Sequence, residues 1–139
     1  GIVYIDNGGD LAMRWVGVSS TINYTGRGSI VVTGDVNLKV NLYTSGNNSF
    51  PANVIGIMTP NTITFDSAGK EVMGAFYAEE EIICAMQTEV TGTFVSNYFN
   101  MRLQVPSIYQ IPTLVDNLPP GMINNFPIWV VSIVAWQEL

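Results

Sequence analysis

The 139-residue chain is 47% apolar and only 12% charged, with a formal net charge of −6, a balance that excludes disorder. Its five basic residues, Arg14, Arg27, Lys39, Lys70 and Arg102, are scattered, so nothing is built to neutralise phosphates and no nucleic-acid partner is expected. A single cysteine, Cys84, and the absence of histidine exclude an internal disulfide, a cysteine-based metal site and the commonest zinc ligand.

The length suits one domain. Abundant Gly, Asn, Thr, Ser and β-branched residues favour strands and turns over helices, so the expected class is all-β. At the start, Ile2, Val3, Tyr4 and Ile5 precede a turn at Asn7, Gly8, Gly9 and Asp10, and Leu11 to Trp15 follow. This is a degenerate unit, as a terminal coil would be. It carries neither a basic region nor a long apolar stretch, so any export signal or membrane anchor is expected to lie outside this chain. The sequons at Asn23 and Asn47 are of a kind that an Asn-rich chain produces by chance. From Gly28 to Val40 the residues Ile30 and Val32, then Val36, Leu38 and Val40, alternate around a turn at Thr33, Gly34 and Asp35. That pattern reads as a second coil.

The central signal is a repeat of 18 residues. Three segments beginning at Asn53, Glu71 and Glu89 align with Val54, Val72 and Val90 in one column, Gly56, Gly74 and Gly92 in the next, and Met58, Phe76 and Phe94 beyond. Each is followed by a second apolar pair: Ile63 and Phe65, Ile82 and Cys84, Phe99 and Met101. A unit this short is too small for a helix pair and fits one solenoid coil of two or three strands. The Val and aromatic columns then share the interior face, and the recurrent glycine marks a bend or a close backbone approach.

Past Gln104 the pattern breaks. Pro106, Pro112, Pro119 and Pro120 remove ladder donors, so an extended traverse along the body is expected. Residues 128–136 are apolar on both parities, which suits a closing strand buried on two sides, and this run is too short to span a bilayer as a helix. The expected fold is a short parallel β-helix, or solenoid, with coils of about 18 residues. It forms a single domain with coils over 1–104, a Pro-rich traverse over 105–127 and a closing strand over 128–139.

The stretches Tyr24 to Asp35, Gly74 to Ala78, Gln104 to Pro112 and Val134 to Glu138 resemble the ectodomains of PilX-like pilus-assembly proteins. These are minor-pilin-like proteins whose precursors carry an N-terminal hydrophobic anchor. The resemblance implies a structural or assembly role in an extracytoplasmic surface filament of the bacterial envelope, pilin-like partner subunits, membrane contact only through an anchor absent from this chain, and no catalytic residues.

Chemistry-bearing residues are few. Glu79, Glu80 and Glu81 could supply oxygen ligands to calcium, but without interleaved glycines a solvated bend is the expected role. Asp10, Asp35 and Asp66 sit in turn contexts. Glu71 and Glu89 occupy one repeat column, which would place an acid/base pair about 4.8 Å apart, while simple exposure is the commoner outcome. Cys84 has no histidine to activate it and is expected to be a buried apolar residue. Trp15, Trp129, Trp136, Tyr77, Tyr98 and Tyr109 could form a sugar-stacking platform or serve as packing. Two readings stand: a non-catalytic structural or adhesive subunit, and a carbohydrate-binding or carbohydrate-active β-helix. A cytoplasmic solenoid polymer of the bactofilin kind would share the glycine-punctuated repeats but lack the Pro-rich tail. No catalytic residue, cofactor or metal ligand is assigned.

Overall fold

The computed structural model describes residues 1–14, 20–46, 49–101 and 104–122. The closing strand expected over 128–136 lies outside them, as do Trp15, Trp129 and Trp136. Among the described residues eleven strands, every pair of them parallel, wind around one axis as a β-solenoid. They are β1 (Ile2–Ile5), β2 (Leu11–Met13), β3 (Thr21–Tyr24), β4 (Arg27–Val32), β5 (Val36–Leu38), β6 (Asn41–Thr44), β7 (Val54–Thr59), β8 (Thr62–Phe65), β9 (Lys70–Cys84), β10 (Thr88–Asn100) and β11 (Ser107–Gln110).

Three faces result. The first stacks β1, β4, β7, residues 75–78 of β9 and residues 93–96 of β10. The second stacks β2, β5, β8, residues 81–84 of β9 and the end of β10. On the third lie β3, β6 and the opening segments of β9 and β10, with β11 last. β9 and β10 are long because each runs around corners without breaking its ladder.

The interior is one apolar column per face or two. On the first face Val3, Ile30, Ile57, Phe76 and Phe94 stack at spacings of 27, 27, 19 and 18 residues. Leu11, Val36, Ile63, Ile82 and Phe99 form the column of the second face, and Ile22, Leu42, Val72, Val90 and Ile108 that of the third. In the middle coils these side chains, the half-buried Ile30 apart, are almost wholly excluded from water, worth about 1.5–3 kcal/mol for each large side chain. Phe65 meets Phe76 edge to face, with ring centroids 5.4 Å apart.

The 18-residue period therefore holds between the last two coils, while the first coils are longer because they carry loops at their corners. All three expected columns lose their first member: Gly56 pairs with Ala75 and Met58 with Tyr77, not with Gly74 and Phe76. Val72 and Val90 are partners, but Val54 is not the third member: Leu42 lies beside Val72, and Val54 pairs with Arg27 on the first face. The cause is the 19-residue step from Ile57 to Phe76. A slip of one residue turns every side chain of a strand to the opposite face, so Ile57 points inward and Gly56 and Met58 outward. Val54 is nonetheless fully buried, in a second cluster outside the solenoid with Ala75 and Leu114.

That second cluster exists because the Pro-rich segment does traverse the body, though from a later start than expected. Residues 107–110 form β11 and complete the last coil; the traverse proper begins at Ile111, whose N–H donates to Gly92 O in 3.0 Å. A single 3-10 turn, Pro112–Leu114, inserts Leu114 over Val54 and Ala75. The chain then descends the outside of the first face to Gly121, beside Ile2 and Met58. It passes over the small residues Ser29, Gly56 and Ala75, which are register partners. A β-carbon on Gly56 would lie 3.0 Å from Pro119 and 2.8 Å from Ser29 Oγ, so the glycine makes room for the crossing.

Arg27 pins the lower end of this traverse. Its guanidinium donates to the carbonyls of Pro51 (2.6 Å), Asn117 (3.0 Å) and Leu118 (2.8 Å). Arg27→Ala is expected to cost about 1–2 kcal/mol in urea unfolding, since charge-assisted bonds at an exposed site are worth less than buried ones. Amide exchange over residues 117–121 should rise in that variant while β9 stays protected. Uniform loss of protection would show that the traverse is not separately anchored.

Candidate functional site

The outer side of the third face carries the most chemistry. Glu71 and Glu89 are register partners on adjacent coils, so the structure brings together the carboxylates that share a repeat column. Asn41, one coil further, accepts a hydrogen bond from the Glu71 N–H at 3.0 Å. Tyr43, on β6, donates its hydroxyl to Glu71, a neighbour the sequence could not reveal because β6 and β9 are brought side by side only by the third face. Lys70 Nζ reaches Ser20 Oγ at 3.0 Å. Tyr43, Lys70, Glu71 and Glu89, with Gln87 and Ser107, line an open cleft of about 290 Å³.

Partial burial, and then the charge of Glu89, push the Glu71 carboxyl above its ordinary value, against the Tyr43 hydrogen bond that lowers it. The native state therefore holds a proton on Glu71 more readily than the unfolded chain does, so this residue adds stability as pH falls through the carboxylate range and withdraws it as pH rises. Asp66 has the opposite sign. Its carboxyl is held low by the hydrogen bond from Lys39, 2.7 Å away and one coil below, and its contribution is lost on acidification. Glu71→Gln keeps the Tyr43 bond and removes the repulsion. It should melt at or above the wild-type temperature at neutral pH, with the difference vanishing in acid; a variant that melts lower at neutral pH would show that the charged carboxylate is needed.

The other sequence candidates separate. Glu79 and Glu80 are exposed and Glu81 is half-buried, at the bend where β9 passes from the first face to the second. Among the described residues no three acidic or sulfur-bearing side chains gather as a metal would require. Asp10 and Asp35 do more than shape local turns. Asp10 Oδ1 accepts from Asp35 N–H at 2.8 Å, and Asp35 Oδ1 accepts from Thr62 N–H at 3.3 Å, so they tie successive coils along one corner. Cys84 is buried, and burial raises its thiol pKa, which leaves little thiolate for chemistry. Tyr77, Tyr98 and Tyr109 are exposed but lie on different faces, so these three make no common platform.

Two further surfaces stand out, and the sequence reading did not reveal the first of them. Outside the first face, beside the traverse, Tyr4, Val31, Met58, Tyr77 and Val95 form an apolar ladder. Its signal was present in runs such as Ile30, Val31 and Val32, apolar on both parities. The second is the open end of the last coil, where Phe94, Phe99 and Ile108, with Gly92, Thr93 and Gln110, line a depression of about 210 Å³. No protein-family model, no curated protein and no solved structure matches this chain.

Proposed function

We propose that this chain is a non-catalytic structural and assembly subunit of an extracytoplasmic surface filament, of the pilus-assembly kind its sequence resembles. The observation that carries this reading is where apolar surface is left in water. Ile2, Val3, Tyr4 and Ile22 of the first coil and Val95, Tyr98, Phe99, Ile108 and Tyr109 of the last are exposed large side chains. The described residues of the middle coils bury most of theirs, Tyr77 and Met86 excepted. Exposed apolar surface grouped in this way marks sites of protein contact, and unpaired strand edges invite another chain.

A carbohydrate-binding or carbohydrate-active role rests on the stacked Glu71 and Glu89 beside Tyr43. That cleft is open, and Lys70 in it is already engaged with Ser20, which favours the structural reading. The deciding experiment removes the solenoid from the chromosomal gene while leaving the rest of the gene in frame, then scores surface filaments and adhesion. Loss of filaments with no glycan bound on an array is the expected result. Normal filaments together with a lyase or hydrolase activity abolished by Glu89→Gln would replace this reading with the enzymatic one.

A further inference from the structure

We propose that copies of this chain stack end to end, the last coil of one seated on the first coil of the next, in parallel register. The proposal deepens the assembly reading above by naming the partner of the coil ends.

Among the described residues both ends are open in the same way. The strand ladder at the first coil, among the described residues, joins β1 to β4, β2 to β5 and β3 to β6, with no further strand beneath. At the last, among the described residues, residues 93–99 of β10 pair in the ladder only with β9, and β11 only with β10. Among the described residues each interior column ends on a side chain with no further member beyond it: Phe94, Phe99 and Ile108 above, Val3, Leu11 and Ile22 below. Solenoids that stay monomeric close their stack with a polar terminal unit. Here Val3 is 59% exposed and Ile108 44%, while the lining of the upper depression contains no charged residue.

A second copy fits this end for three reasons. All strands run in one direction, so a copy placed head to tail continues the parallel ladder on every face, with Phe94 over Val3, Phe99 over Leu11 and Ile108 over Ile22. The first and last coils share the three faces of one column. The charges also permit it. No Asp, Glu, Lys or Arg lies between Glu89 and Arg102, so the upper coil presents no carboxylate to Asp6 or Asp10 below. The four, three and four residues of β1, β2 and β3 provide ladder positions in the range of the roughly ten hydrogen bonds of an ordinary stable interface. Because the two patches differ, the contact is heterologous and open-ended, and it builds a filament. Five coils at about 4.8 Å each give a subunit repeat of roughly 24 Å.

The test uses the full chain in sedimentation velocity over a wide range of concentration, with Val3→Glu to block the lower end and Ile108→Glu to block the upper. Both sites are exposed, so the fold should survive, as circular dichroism will show. Wild type is expected to form concentration-dependent oligomers, each variant alone to be monomeric, and their mixture to double in mass and stop there. A monomeric wild type overturns the proposal, including the case in which residues 123–139 of the same chain protect β1 from amide exchange; so does a variant that still pairs with itself. Filaments lost in cells despite a monomeric wild type would sink stacking alone, whereas stacking in solution with filaments intact would sink the assembly role alone.

Discussion

Replacing Gly92 with alanine is expected to destabilise the fold by roughly 4 kcal/mol or more, in the range where a single substitution prevents folding of a marginal domain. Gly92 lies where β10 turns from the third face to the first, with φ 139°, a conformation that side chains rarely tolerate. Sterics add to this, because a β-carbon there would collide with the backbone of Gly74 in the coil below. Backbone held in two ladders cannot step aside as a side-chain tip could. Gly69 provides the control, with φ 64° and open space around it. Gly69→Ala should cost only about 1–2 kcal/mol, the ordinary penalty of the left-handed region. Urea midpoints of the two variants separate these contributions, and equal losses would show that the packing of coil on coil at this corner is looser than the register implies.

Phe76→Ala is expected to cost about 3–5 kcal/mol, the usual loss for emptying an aromatic site in a closed core. Phe76 is 1% exposed, stacked between Ile57 and Phe94 and packed edge-on against Phe65. Neighbouring coils are held by their own ladders, so the cavity cannot collapse. Phe94 occupies the same column one coil later, but only a half-buried site, so Phe94→Ala should cost about 1–2 kcal/mol for the smaller area it returns to water. Chemical denaturation with matched m-values checks the ratio. Equal losses at the two positions would indicate that something already covers the last coil, as the stacked assembly does at high concentration, so the measurement belongs at low concentration.

Much of the fold was legible along the chain because a solenoid is nearly one-dimensional. Stacked strands leave a fixed spacing, and the 18-residue columns Val72 with Val90, Gly74 with Gly92 and Phe76 with Phe94 are the observed register partners. The second apolar pairs follow too: Ile63, Ile82 and Phe99 share one column, and Phe65 partners Cys84. Prolines past Gln104 announced a segment that leaves the ladders, since a residue without an N–H cannot sustain them. The Glu71 and Glu89 pair was visible for the same reason as the valines.

What the sequence could not determine are the relations that a period does not encode. One extra residue between Ile57 and Phe76 reversed the facing of β7, and Val54, although it fits the repeat, belongs to the cluster under the traverse. Composition cannot detect such a slip, because Val54, Ile55, Ile57 and Met58 are apolar on both parities and either facing satisfies the pattern. Tyr43 meets Glu71 and Arg27 meets the carbonyls of Asn117 and Leu118 across separations set by loop lengths and by the path of the descending segment. Local propensity and repeat spacing chose the coils. Only the closure of those coils around a common axis decided which side chains face inward, which line the Glu71 cleft, and which are left uncovered at the two ends.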